Sequence, residues 1–415
     1  MHIHFARQLG LAATTSAALL LTACGGGSDD DNDSTTAPVT TRGTLAVSFV
    51  PNAPSCGLDA INVTVSKLRL RQDVNADPAA AGWTEVTLSP AKRINLLHPA
   101  SVLSGVAADL GEIGLPTGSY AQMALVLEPS GNTVRVAGAA SDVPLEISPA
   151  VASGVRLPVN LTIEDGKKQT LNFEFNACDS IQPRGAGYAF IPRLRPVSTA
   201  AGAIGGYIDP AALASNVVIT AQKGGTIVAT AVPTPGTGQF LLPRLPRDNY
   251  DVVVQATGRA TGVVGVVPVA DTGVTALGTA AAPIRLATSA VSSISGQVTY
   301  TAPAVAPADG TWIWATQTIS ADPLVGNAST IVTNRLQAVD LVTGNYVLNN
   351  LARASIQYAL YKPNTPIVLA NATTSGGNGR YRIEAAATGY LNKTGTSANI
   401  NTSSGNQTGV NISMP

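Results

Sequence analysis

From residue 44 onward, apolar and polar positions alternate with period two in short runs broken by Gly, Pro, Asn and Asp, which is the pattern of half-buried strands. Residues 44–50 (TLAVSFV) open the series. In residues 60–71, Ile61, Val63 and Val65 share one face before the apolar positions change phase to Leu68 and Leu70, so a strand with a bulge near Ser66 and Lys67 is predicted. Residues 83–88, 93–97 and 120–128 read as further strands. The cleanest alternation is Val155, Leu157, Val159, Leu161, Ile163, followed across Asp165 and Gly166 by Leu171, Phe173 and Phe175, and it predicts a hairpin. Residues 101–115 differ: Val102, Leu103, Val106, Leu110 and Ile113 fall at three- and four-residue spacings, which predicts a short helix before the turn at 115–119 (LPTGS).

The second half of the chain keeps the same rhythm. Strand runs at 204–208, 216–222, 226–232, 238–242, 250–256 and 262–269 recur at roughly ten-residue spacing. ISGQV at 294–298 then echoes IGGYI at 204–208, and GNYVLNNL at 344–351 echoes GQFLLPRL at 238–245, which indicates an internal duplication. Aligning 311–317 with 216–222 sets Trp312 and Trp314 opposite Val217 and Ile219 and predicts that both rings face a core. The alternative is a ligand platform, since strand positions two apart lie on one face about 6.5–7 Å from each other and two rings could stack on successive sugars.

Composition agrees with an all-β protein. Charged residues make up only 12% of the chain, and 40 Gly and 27 Pro punctuate runs of Val, Ile, Leu and Thr. About 370 residues follow the N-terminal region, too many for a single core. The expected organisation is tandem β-sandwiches, immunoglobulin-like or prealbumin-like, at 43–197, 203–288 and 292–415.

The N-terminal region carries Arg7 with His2 and His4, then an apolar run at 9–21 that is shorter than the ~20 residues a membrane-crossing helix needs. It reads as a cleaved signal over residues 1–23. Its end, Leu21-Thr22-Ala23-Cys24, resembles the lipobox of bacterial lipoproteins. That resemblance implies acylation of Cys24, cleavage just before it and attachment to a membrane through the lipid. Gly25 in place of aspartate implies the outer membrane. Residues 24–42 form a polar tether with roughly 25 Å of reach. The acidic cluster at 29–33 lacks the sixth-position glycine and distal glutamate of a calcium loop and reads as a solvated spacer. Without residues 1–23 the chain holds 24 basic and 25 acidic residues, a balance that gives no case for nucleic acid or for an anionic membrane surface.

With Cys24 lipidated, Cys56 and Cys178 remain, and an even pair in an oxidising compartment is most simply one disulfide. His98 is then the only histidine, so no His-rich or Cys/His metal set can be assembled and no base is at hand for a serine or cysteine nucleophile. His98 itself, at a strand end before Pro99, reads as solvated or capping. No GxSxG, HExxH or phosphate-binding loop occurs. No cofactor is expected and no enzymatic activity.

Ordered blocks between 43 and 127 (GTLAVSF, AINVTVSKLRL, WTEVTL, INLL, LPTGSYAQMALVL) look like the bacterial lipoprotein family catalogued as domain of unknown function 4382, over about residues 43–197. The two later units resemble the carboxypeptidase regulatory-like, transthyretin-like β-sandwich. In the second unit Gly238, Phe240, Leu242, Leu245, Pro246, Tyr250, Val252, Val254, Ala256 and Gly258 match its signature, with Arg247, Asp248 and Asn249 in place of the glycine turn. In the third unit the matching strand at 381–389 comes only after some thirty polar residues. These resemblances imply a non-enzymatic outer-membrane lipoprotein acting as a binding or structural module, with an envelope protein or a glycan as partner. The alternatives are a carbohydrate-binding surface lipoprotein and, further off, an unrecognised hydrolase.

Overall fold

The computed structural model describes residues 41–52, 56–73, 81–97, 108–197, 201–301, 310–320, 329–387, 393–394 and 399–414. Cys24, the acidic cluster at 29–33 and His98 lie outside them. The described residues form an all-β protein in which sheets pack face to face around cores of Val, Ile, Leu and Phe.

The first unit contains β1 (Arg42–Asn52), β2 (Leu58–Arg71), β3 (Thr84–Asn95), β4 (Ala108–Pro116), β5 (Gly118–Leu127), β6 (Thr133–Val136), β7 (Val143–Glu146), β8 (Val155–Ile163), β9 (Lys168–Asn176), β10 (Ile181–Arg184), β11 (Gly187–Phe190) and β12 (Leu194–Val197). One sheet runs β12-β9-β1-β4, and the other runs β10-β11-β7-β6-β2-β5-β8 with β3 also on β2. The bulge expected near Ser66 and Lys67 is present, as a register shift between Val65 and Lys67 against both neighbours.

Three expectations are corrected here. Residues 108–116 are strand β4, not the end of a helix. Leu110 and Gly111 together oppose Val47, with Gly111 at φ +85°, so a bulge produces the three-residue step from Leu110 to Ile113 that mimics helical spacing. The runs at 83–88 and 93–97 belong to one strand, β3. The alternating runs on either side of Asp165 and Gly166 do not form a hairpin: β8 pairs with β5, whereas β9 crosses to the facing sheet and pairs with β1 and β12. A tight turn closed by Lys167 N to Glu164 O (3.2 Å) makes that crossing. Alternation reports that one face of each strand is buried, and strands on opposite walls of a sandwich satisfy it as well as paired ones.

The second unit contains β13 (Gly202–Tyr207), β14 (Val218–Lys223), β15 (Thr226–Ala231), β16 (Gln239–Leu245), β17 (Asp248–Gln255), β18 (Gly262–Val269) and β19 (Val274–Leu277). The third contains β20 (Val291–Tyr300), β21 (Thr311–Ile319), β22 (Thr330–Ala338), β23 (Asn345–Ala352), β24 (Gln357–Leu360), β25 (Ala370–Asn371), β26 (Arg380–Ala387), β27 (Lys393–Thr394), β28 (Ile400–Asn401) and β29 (Ile412–Met414).

One pairing plan recurs in all three units. The first strand (β1, β13, β20) lies antiparallel to β4, β16 or β23 and parallel to β9, β19 or β29. The second strand (β2, β14, β21) lies between β3, β15 or β22 on one side and β5, β17 or β26 on the other, all antiparallel. The IGGYI and ISGQV echo has a steric cause, because a Cβ on Gly206 would meet Leu277 O at 2.1 Å and one on Gly296 would meet Val410 O at 2.1 Å. A tyrosine latch completes each unit: Tyr120 donates to Pro116 O (3.0 Å), Tyr250 to Pro246 O (2.9 Å) and Tyr381 to Ala352 O (2.6 Å). Pro246 and Ala352 each follow the closing leucine of the echoed segment, so Tyr381 occupies the place of Tyr250 even though residues 353–380 intervene.

That intervening segment does not stay within the third unit. Its strand β24 pairs in parallel with β18, from Gly262 opposite Gln357 to Gly265 opposite Leu360, and β25 continues the sheet. Val253 and Val263 of the second unit pack with Ile319, Val332, Ile356 and Tyr358 of the third in a small core of their own. The polar face of β14 is buried here as well: Gln222 exchanges hydrogen bonds with the backbone of Thr333 (Nε2 to O, 2.8 Å; Thr333 N to Oε1, 2.9 Å).

Candidate functional site

On β21 the side chains alternate, and Ile313 and Ala315, both 0% exposed, lie in the core of the third unit. Trp312 and Trp314 therefore share the outer face, and the expectation that they pack in that core is wrong. Pairing shows the cause: Ile219 opposes Val254 in the second unit as Ile313 opposes Ala385 in the third, so the two repeats match one residue away from the alignment of 311–317 with 216–222. A one-residue slip turns every side chain to the other face.

The two rings meet different surroundings. The Arg193 guanidinium of the first unit covers the Trp312 ring, 4.3 Å from its centroid, and the ring is nearly buried with no hydrogen-bond partner for Nε1 among the described residues. Trp314 is half-buried and donates Nε1 to Glu384 Oε2 (2.7 Å), while Glu384 also pairs with Arg382 (3.0 Å). With one ring capped by arginine, only Trp314 offers a face.

Cys56 and Cys178 are bonded, their Cα atoms 5.3 Å apart. The parallel ladder of β1 and β9 delivers them, since it ends with Asn52 opposite Asn176 just short of both cysteines. Asn176 Oδ1 caps the one-turn helix Ala177–Ser180, accepting from Cys178 N (3.0 Å) and Asp179 N (3.3 Å). Asp179 is partly buried there, and desolvation, opposed by Arg193, pushes its carboxyl up to about 6.

Polar contacts join the first unit to the other two. Glu174, 5% exposed, pairs with Arg195 (2.9 Å) and with Arg244 of the second unit (3.4 Å). Burial lowers the pKa of Arg244, and the Glu174 charge opposes that shift. Asp340 Oδ2 of the third unit accepts from Gly185 N (3.0 Å), and Leu341 N donates to Pro183 O (3.1 Å).

A cavity of about 530 Å³ lies beside β24 and β25, walled by Tyr358, Leu360, Ile367 and Val368 with Lys362 and Asn371 at its polar side. Sequence reasoning missed it, because residues 353–380 read as a polar insertion and the short apolar runs at Ile356, Tyr358 and Leu360 and at 367–369 were passed over within it. Among the described residues no group of three or more His, Cys, Asp or Glu is placed to hold a metal ion. Among them also, no helix is long and apolar enough to cross a membrane, which says nothing about strands.

No curated protein matches the chain. Among solved structures it aligns with the Bacillus anthracis TIE protein at 10% identity and a TM-score of 0.15, covering 90% of this chain and 50% of that one. The chain thus spans half the length of that protein. It also aligns with a streptococcal ancillary pilin (9% identity, TM-score 0.17, 90% of this chain and 99% of that one) and with the Corynebacterium diphtheriae major pilin SpaA (10%, 0.17, 89% and 99%). Residues 42–192, which make up the first unit to the end of β11, match the family model described as Domain of unknown function (DUF4382).

Proposed function

We propose that the chain is a non-enzymatic lipoprotein of the bacterial outer membrane, anchored through Cys24 and carrying a structural or binding module beyond a polar tether. The observation that supports the structural-module part is the interlocking of three sandwiches of one plan, with a strand of the third built into the second and a disulfide within the first, while the anchor rests on the Leu21-Thr22-Ala23-Cys24 box. Such a body suits a rigid presenting or scaffolding element better than a hinged enzyme cleft. The two later units are read as carboxypeptidase regulatory-like repeats on the strength of their signature residues and the echoed segments at 204–208 and 294–298 and at 238–245 and 344–351. The test is Cys24→Ser. The variant should leave the membrane fraction for the soluble one, and persistent membrane association would overturn the anchor.

A second reading, carbohydrate binding, draws on the half-open Trp314 ring beside Glu384 and Arg382, an aromatic face flanked by hydrogen-bonding groups. A glycan array with the wild-type protein and Trp314→Ala tests it. Binding that survives loss of the ring would remove this site from consideration.

A further inference from the structure

Arg335 on β22 stands where the second and third sandwiches meet, and its hydrogen bonds all run to neutral oxygens. Nε donates to Asn349 O (2.9 Å), Nη1 to Gln255 Oε1 of the second unit (2.7 Å) and to Asn334 O (3.3 Å), and Nη2 to Asn350 O (3.5 Å). Among the described residues no carboxylate lies in ion-pair range of it, in contrast to Arg195 and Arg244, which share Glu174. Burial acts on this guanidinium to lower its pKa, as expected of a charge drawn out of water without a counter-charge. It nevertheless stays protonated, because an arginine does not lose its proton in a protein.

Beside Arg335 a cleft of about 240 Å³ opens to solvent between the two units. Asn216, Thr257, Gln337, Asn349 and Asn350 line it along with the arginine, and Val218, Val347 and Leu348 supply an apolar wall. The lining thus holds one fixed positive charge, several amides and a hydroxyl that can both donate and accept, and no acid.

We propose that this cleft is a binding site for a hydroxylated carboxylate, a monoanion whose carboxyl group meets Arg335 and whose hydroxyls meet the surrounding amides. The charge match selects the class. A single guanidinium balances one carboxylate, whereas a phosphate dianion would leave charge uncompensated in a partly desolvated site. The amide-rich rim suits a polyol better than a plain fatty acid, which would strand the rim's donors. The site lies on a different face from Trp314, since Arg335 opposes Ala315 across the β21–β22 ladder and Leu336 opposes Trp314, and it is independent of the anchor at Cys24. Two sources share this chemistry: free small hydroxy acids, and uronate residues of an acidic polysaccharide.

Isothermal titration of the purified chain with galacturonate, its methyl ester, acetate and a galacturonate oligomer tests the proposal. Galacturonate should bind one to one, acetate more weakly for want of hydroxyls, and the ester should not bind. Arg335→Gln should weaken acid binding about ten-fold or more, the effect of losing one charge-assisted bond. Because that change also removes a contact between the units, Asn349→Asp serves as a second variant: it leaves the arginine in place, supplies a carboxylate within the cleft, and should compete with the ligand to a similar degree while the thermal midpoint holds. Galacturonate that binds at least as tightly as its oligomer points to free hydroxy acids, and an oligomer that binds more tightly than the monomer points to a polysaccharide. The proposal is overturned if acetate or the ester binds like galacturonate, if neither galacturonate nor its oligomer binds, or if Asn349→Asp binds with unchanged affinity.

Discussion

Replacing Asp179 with asparagine should stabilise the protein at neutral pH and do little in acid. The side chain accepts one hydrogen bond, from Asn176 Nδ2 to Oδ2 (2.7 Å), and among the described residues its buried Oδ1 has no partner. Desolvation pushes its pKa up to about 6, with Arg193 pulling the other way. An unfolded aspartate titrates near 3.9, so the folded chain holds this proton more tightly than the unfolded one. The contribution is therefore fully favourable below about pH 4, is lost as pH rises through about 6, and stays lost above it. Each pH unit of separation is worth about 1.4 kcal/mol, which sets an upper figure of about 3 kcal/mol; partial contact with water lowers the expectation to about 1–3 kcal/mol. An asparagine in its place would keep the acceptor for Asn176 and carry no charge. Urea unfolding of wild type and Asp179→Asn at pH 7.5 and pH 4 reads the effect, because other carboxylates titrate equally in both proteins. The variant should gain about 1–3 kcal/mol at pH 7.5, with the difference closing at pH 4. An equal difference at both values, or destabilisation by asparagine at pH 7.5, would mean that Arg193 fully compensates the ionised carboxylate.

Reduction of the Cys56–Cys178 bond, which spans 122 residues, should lower stability by at most about 5 kcal/mol on the chain-entropy model, and calorimetry that shows the same midpoint with and without a dithiol would contradict it. Tyr381→Phe should cost about 1–3 kcal/mol by leaving the buried Ala352 carbonyl unpaired, and more than Tyr120→Phe, whose acceptor on Pro116 is only half-buried; chemical denaturation of both variants gives the ranking. Ile313→Ala should cost about 2–5 kcal/mol and Trp314→Ala less, and equal losses would return the tryptophan face to the core.

Much of the strand layout was legible because each strand buries one face: the phase change from Val65 to Leu68 marked a bulge, and the cysteine count pointed to the disulfide. What stayed hidden is what period two does not encode. The runs ending at Ile163 and beginning near Leu171 carry no mark of which wall each strand joins. A glycine bulge at Gly111 and three-residue helical spacing look alike on paper. The tryptophans were misplaced because both faces of β21 are buried at Trp312, one by its own core and one by Arg193, so hydrophobicity there gives no register. Strand β24 was missed because it is four residues long and its longer pairing partner, β18, lies in another unit. The charge on Arg335 gave no signal either, since its surroundings come from β17, β22 and β23 together.

Strand β24 also decides where this chain can be divided. A fragment that stops near residue 290 has every residue of the second sandwich but loses the neighbour that covers β18. The backbone donors and acceptors of β18 would then stand bare along an edge, next to Val253 and Val263 stripped of their packing. An open, valine-rich edge of this kind takes up strands from neighbouring molecules. The excised second unit should therefore aggregate, and the shortest soluble piece that contains it should also contain the third.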